Sequence, residues 1–191
     1  TLTHKGYIKR LPSSTYRVQK RGGRGIQGMG TNEDDFVEHL VSTSTHDTIL
    51  FFTNKGKVYK VKGYEIPEYS RTAKGLPIIN LLQIEKEEWI NAVISVNEFS
   101  EDLNFFFTTK QGISKRTSLS QFANIRKGGL IALGLRDDDE LISVRLTDGT
   151  KDIMIATKNG YLIRFPEEQV RLMGRTATGV RGISLRDDDE V

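Results

Sequence analysis

The sequence predicts an all-β protein built from repeated four-stranded sheets, and three observations carry that prediction. A Thr-x-x-Gly turn recurs at Thr3 to Gly6, Thr53 to Gly56, Thr109 to Gly112 and Thr157 to Gly160, at intervals of 50, 56 and 48 residues. Each turn is followed by a short strand pattern, and three are also preceded by one, at 48–52, 104–108 and 152–156. No segment shows helical periodicity. About four strands in a unit of roughly 50 residues reads as a propeller blade, because a lone four-stranded sheet cannot bury both faces without a neighbour.

Taken in order, each unit opens on a hairpin whose glycine supplies the left-handed position of a short loop. In the second strand the fourth residue after the glycine is Arg10, Lys60, Arg116 or Arg164, and the fifth is Leu11, Val61, Thr117 or Phe165. Side chains alternate across a strand, so the fifth position faces the core and the fourth turns outward, one cation per unit. A second glycine follows at Gly25, Gly75, Gly128 or Gly179, with Arg24, Lys74 or Lys127 just before it and Arg175 near the fourth. Then come an apolar strand (76–82 or 130–135), an acidic turn and a closing strand (89–96 or 141–146). The acidic turn repeats verbatim as Leu-Arg-Asp-Asp-Asp-Glu at 135–140 and 185–190. The units run 1–48, 49–104, 105–152 and 153–191 within one domain, 1–191. The first lacks most of its leading strand and the last stops before its closing strand. The chain, which starts at Thr1, reads as an excised segment with open sheet edges.

Composition narrows the function classes. The 191 residues include no cysteine, which excludes disulfides and thiolate metal sites, and no apolar run approaches the roughly 20 residues that span a bilayer. Net charge is only +3, but residues 1–32 carry Lys5, Lys9, Arg10, Arg17, Lys20, Arg21 and Arg24 with no acid. That asymmetry points to an anionic partner.

Its focus is Gln19-Lys20-Arg21-Gly22-Gly23-Arg24-Gly25, three cations on a glycine-rich loop. Glycine permits positive φ and close backbone approach, while lysine and arginine neutralise phosphates. The stretch resembles the A-subunit box of bacterial DNA gyrase, Gln-Arg-Arg-Gly-Gly-Lys/Arg-Gly, with lysine for arginine at position 20. Together with the Thr-x-x-Gly hairpins and basic second strands, it makes the whole chain similar to the C-terminal DNA-wrapping domain of that family. The resemblance implies a β-pinwheel, usually of six blades, of which four are present. It implies weakly sequence-specific binding and chiral wrapping of duplex DNA, enabling ATP-dependent negative supercoiling by the parent enzyme.

On that resemblance the DNA-binding residues are the box, Gln19 to Gly25, and a rim made of Lys9, Arg10, Lys60, Lys62, Lys115, Arg116 and Arg164. It implies a non-catalytic piece of an ATP-hydrolysing type II topoisomerase, with no cofactor here and ATP and Mg in other domains. Its partners are then double-stranded DNA and the remaining gyrase A and B subunits in an A2B2 complex, in the bacterial cytoplasm with the nucleoid. A topoisomerase IV tail, which shares the blades but lacks an intact box, and a protein-interaction propeller are the alternatives.

Other motifs carry less. Gly23 to Gly28 spells G-x-G-x-x-G without a βαβ unit, and the Walker-like glycines of 174–179 lack the following Lys-Ser/Thr. The Asp-Asp-Asp-Glu turns lack calcium-loop spacing and read as solvated turns. His4, His39 and His46 read as surface residues, whereas Phe51, Phe52, Phe105, Phe106, Phe107 and Trp89 read as core.

Overall fold

The computed structural model describes residues 1–191. It contains fourteen strands and five short 3-10 turns, with no α-helix. In chain order the strands are β1 (Leu2–Thr3), β2 (Tyr7–Ile8), β3 (Val37–His39), β4 (Thr48–Thr53), β5 (Lys57–Lys62), β6 (Leu76–Pro77), β7 (Ile90–Val96), β8 (Asn104–Thr109), β9 (Ile113–Ser118), β10 (Leu130–Ile131), β11 (Leu141–Thr147), β12 (Asp152–Ala156), β13 (Leu162–Pro166) and β14 (Val180–Arg181).

They form three four-stranded sheets, β3-β1-β2-β6, β10-β5-β4-β7 and β11-β8-β9-β14, and a two-stranded sheet, β12-β13. Each four-stranded sheet therefore takes its fourth strand from the following unit. The exchanged strand pairs antiparallel with the second hairpin strand every time: Leu76 faces Ile8, Leu130 faces Val58 and Val180 faces Ser114. The sequence predicts two of these segments as long strands, 76–82 and 130–135; only two residues pair before the chain turns away, through a 3-10 turn at Ile78–Asn80 in the second unit.

The glycine before each exchanged strand lets the chain enter the neighbouring sheet at close range. Gly75 and Gly179 have φ of +83 and +106, and a Cβ there would lie 2.3 Å from the Ile8 carbonyl oxygen and 2.5 Å from the Ser114 carbonyl oxygen. Only glycine allows both the left-handed turn and the backbone approach. In the third unit that residue is Gly129 (φ +80), one position beyond the predicted Gly128.

Strand alternation divides the phenylalanines between adjacent cores. Phe51 packs with Leu2, Ile8, Ile49 and Tyr59 between the first and second sheets. Phe52 turns the other way and meets Phe105, Phe107 and Phe122, with ring centroids 5.0 to 6.4 Å apart and edge-to-face geometry. Phe106 joins Ile155 and Phe165 between the third sheet and β12-β13. Each buried phenylalanine contributes roughly 2–3 kcal/mol by area, and each edge-to-face pair adds about 1 kcal/mol. Trp89, predicted as core, is 45% exposed instead, because Ile90 and Ala92 take the buried face of β7 and alternation leaves Trp89 on the other.

Candidate nucleic-acid interface

The box occupies the turn before the position at which an exchanged strand would start in the first unit. Every residue from Tyr16 to Gln27 is exposed. The Gly23 N–H donates to the Lys20 carbonyl at 3.0 Å, Gly22 holds φ +77, and the Gln19 side-chain amide folds back onto the Gly23 carbonyl. At the loop's base Gly28 leaves room for Tyr16, whose hydroxyl would lie 2.8 Å from a Cβ there. Tyr16, Arg17, Val18, Gln19, Arg24 and Ile26 line a cleft of about 330 Å³ beside the loop. The eight ion pairs of the protein all lie outside the box, so Lys20, Arg21 and Arg24 present unneutralised charge.

The rim residues divide into two groups. Lys9 and Lys115 are 1% and 0% exposed, which removes them from an outward-facing rim. They lie three residues past the hairpin glycine, on the inward face that alternation assigns to the third position. Lys9 Nζ donates to the carbonyls of Ser70, Arg71 and Ala73 at 3.1, 2.6 and 2.9 Å. Lys115 Nζ donates to Ala132 at 2.6 Å, to Gly174 at 3.3 Å and to Arg175, and sits 5.0 Å from the Phe107 ring centroid. Both ammonium groups tie their own unit to the next one. Burial, aided by Arg175, pushes Lys115 down to about 7. Burial and then Arg71 lower Lys9 as well.

Arg10 and Arg116 also bridge units. Arg10 Nε donates to the Ile66 carbonyl at 3.0 Å and its Nη1 to Glu68 at 3.0 Å. Arg116 Nε donates to the Val170 carbonyl at 2.8 Å, and its side chain is only 11% exposed. Lys60 and Arg164 remain exposed, Lys60 reaching the Ala123 carbonyl at 3.4 Å and Arg164 paired with Asp152. Lys62 is half-buried and donates to the His46 carbonyl at 3.1 Å. The box and the phased cations are thus separate sets, one unpaired and the other largely engaged within the protein.

The acidic turns have a structural role. Asp35, Asp139 and Asp189 each accept the N–H of a hairpin-turn residue, Lys5 at 3.0 Å, Gln111 at 2.9 Å and Asn159 at 3.0 Å. Burial raises the Asp35 carboxyl, but the Lys5 and Phe36 N–H groups and Thr3 outweigh it and hold the group below its ordinary value. Asp34, Glu87, Asp138 and Asp188, at the matching place of the four turns, have φ near +60, from 58 to 64. No sequence spacing announces a cap of this kind; its signal was the repetition of the turn itself.

Fold and loop together define a class: successive antiparallel sheets, the three four-stranded ones each completed by a strand of the next unit, with a cationic glycine loop in the first unit. The chain belongs to the DNA gyrase C-terminal domain family, a β-propeller family whose model matches residues 1–44, 47–97, 104–148 and 151–191. It is 70% identical over 184 residues to the A subunit of DNA gyrase from Halalkalibacterium halodurans, covering 96% of this chain and 22% of that protein. The chain therefore spans about a fifth of that relative's length. Among solved structures it is similar to the C-terminal domain of a DNA topoisomerase IV, with a TM-score of 0.83, 30% identity and coverage of 99% of this chain and 57% of that one. It is also similar to a DNA gyrase A C-terminal domain, with a TM-score of 0.77, 28% identity and coverage of 99% and 61%. No helix is long and apolar enough to cross a membrane.

Proposed function

We propose that this chain binds duplex DNA through the box and the exposed cations of its surface, and that within a longer gyrase polypeptide it wraps that DNA in one sense. The observation that carries the reading is the exposed loop Gln19 to Gly25, whose three cations have no ion-pair partner in the protein. Interactions with phosphates provide affinity without reading bases. In the assembled enzyme, with the remaining A and B subunits in the bacterial cytoplasm, the wrapped segment is presented for ATP-driven strand passage. The chain itself supplies binding and geometry, and units 1–48, 49–104, 105–152 and 153–191 act as its repeating modules. The family assignment and the near-intact box favour gyrase over a topoisomerase IV tail.

The test is topological. Nicked circular DNA is sealed by ligase with the chain present, and the trapped linking number is compared with that obtained with Arg21→Ala/Arg24→Ala. A positive shift that shrinks in the double variant is the expected outcome. Salt-sensitive binding without any shift would reduce the role to holding DNA, and binding that ignored salt would favour a protein-interaction propeller.

A further inference from the structure

The box is one of four copies of a single structural element. A four-residue turn closes the loop before each exchange position: Gly23 N–H to Lys20 O at 3.0 Å, Ala73 to Ser70 at 3.1 Å, Gly129 to Arg126 at 3.0 Å and Ala177 to Gly174 at 3.1 Å. In the second, third and fourth units the loop leads directly into β6, β10 and β14. The loop of the third unit is the shortest, its turn ending on the glycine itself.

The copies differ in what their cations do. In the second unit Arg71 donates to the Gln27 carbonyl at 2.6 Å, and Lys74 is bonded to Asn32. In the fourth unit Arg175 donates to the Ile131 carbonyl at 2.8 Å, and Thr178 stands where the box has Arg24. Those loops are also held from beneath by Lys9 and Lys115. Their arginines therefore serve to join units.

The third loop is different. Arg126, Lys127 and Gly128 are all exposed, and the protein's ion pairs include neither cation. The nearest atom to a Cβ at Gly128 is Gln83 Oε1 at 3.8 Å, so the backbone there is open to approach. In the second unit Tyr59 stands at the lysine position, and its hydroxyl donates to Glu88 at 3.0 Å, leaving the loop above it free of an ammonium. We propose that Arg126-Lys127-Gly128-Gly129 is a second phosphate-binding loop, equivalent to the box and two units away from it, which touches the backbone of the same duplex DNA. The proposal rests on the DNA-binding reading above and adds a separate point of attachment to it.

Arginine and lysine side by side on a glycine turn provide a bidentate fork and a point charge for adjacent phosphates. Removing one phosphate interaction should lower the log–log salt slope by about 0.9. The test measures anisotropy of a labelled duplex across a salt series with the unaltered chain and three double variants: Arg126→Ala/Lys127→Ala, Arg21→Ala/Arg24→Ala, and Lys86→Ala/Lys151→Ala. The last removes the same net charge from two turns outside the exchange loops. The loop variant should bind about tenfold more weakly near 100 mM salt, with a slope smaller by roughly 1 to 2. The Lys86/Lys151 variant should stay within about twofold of the unaltered chain. Arg126→Lys/Lys127→Arg should restore the slope, and Arg126→Gln/Lys127→Gln replaces the alanine variant if that melts early. A loop variant indistinguishable from the Lys86/Lys151 control, while the box variant loses affinity, overturns this inference and leaves the DNA-binding reading standing. Absence of salt-dependent binding by the unaltered chain overturns both.

Discussion

Lys115 shows how far one residue's role departs from its charge. Its ammonium is fully buried and donates to the carbonyls of Ala132, Gly174 and Arg175. Lys115→Met leaves those acceptors unsatisfied and should cost roughly 2 kcal/mol in urea unfolding at neutral pH. The pH dependence has a definite sign. The folded chain releases the Lys115 proton near pH 7, whereas an unfolded lysine keeps it to about 10.5. Between those values the unfolded state binds more protons, so this group's contribution to stability rises with pH and is flat and lowest below 7. Unfolding free energies of the unaltered chain minus those of Lys115→Met should rise from pH 6 to pH 9. A flat difference would sink the assignment.

At the level of the element, the loop before each exchanged strand combines conformation and close packing. Gly75 needs both a φ of +83 and the absence of a Cβ 2.3 Å from the Ile8 carbonyl oxygen. Gly75→Ala should therefore destabilise by about 3 kcal/mol, combining backbone strain with a displaced strand. Gly25, at the matching place in the box, has no atom within 4 Å of where a Cβ would stand. Gly25→Ala should stay within about 0.5 kcal/mol of the unaltered chain in thermal or chemical melts. Equal losses at the two sites would mean that the box loop is docked as the others are. The acidic turns belong to the same scale, because their carboxylates cap hairpin N–H groups; the Asp35 contribution is present above the ordinary carboxylate range and fades as pH falls below it.

For the whole molecule, the governing quantity is the arrangement of unpaired charge and not its total. With a net charge of only +3, the DNA binding proposed above would rest on local clusters at the box and at Arg126 and Lys127. Bending duplex DNA around such points costs several kcal/mol, so a flexible joint in the DNA should help. A duplex of about 30 base pairs carrying a central nick should bind roughly tenfold more tightly than the intact duplex in a competition assay. Equal affinities would indicate that the DNA lies straight against the protein.

The repeat, the hairpins and the phenylalanine-rich strands were legible in the sequence because each rests on local chemistry: a turn glycine, a period of two, a cation next to glycine. Strand β12, predicted at 152–156, is observed at Asp152–Ala156. What the tertiary structure alone decided was which neighbour each group meets. The fourth strand of each four-stranded sheet comes from the next unit, and Asp139 caps a turn formed by another segment. Lys9 and Lys115 point inward to the carbonyls of Ser70, Arg71, Ala73, Gly174 and Arg175, 59 to 64 residues away in sequence. A lysine's sequence position gives its face on a strand, but whether that face meets water or a ring of carbonyls depends on how the next unit packs, and that is a long-range property of the fold.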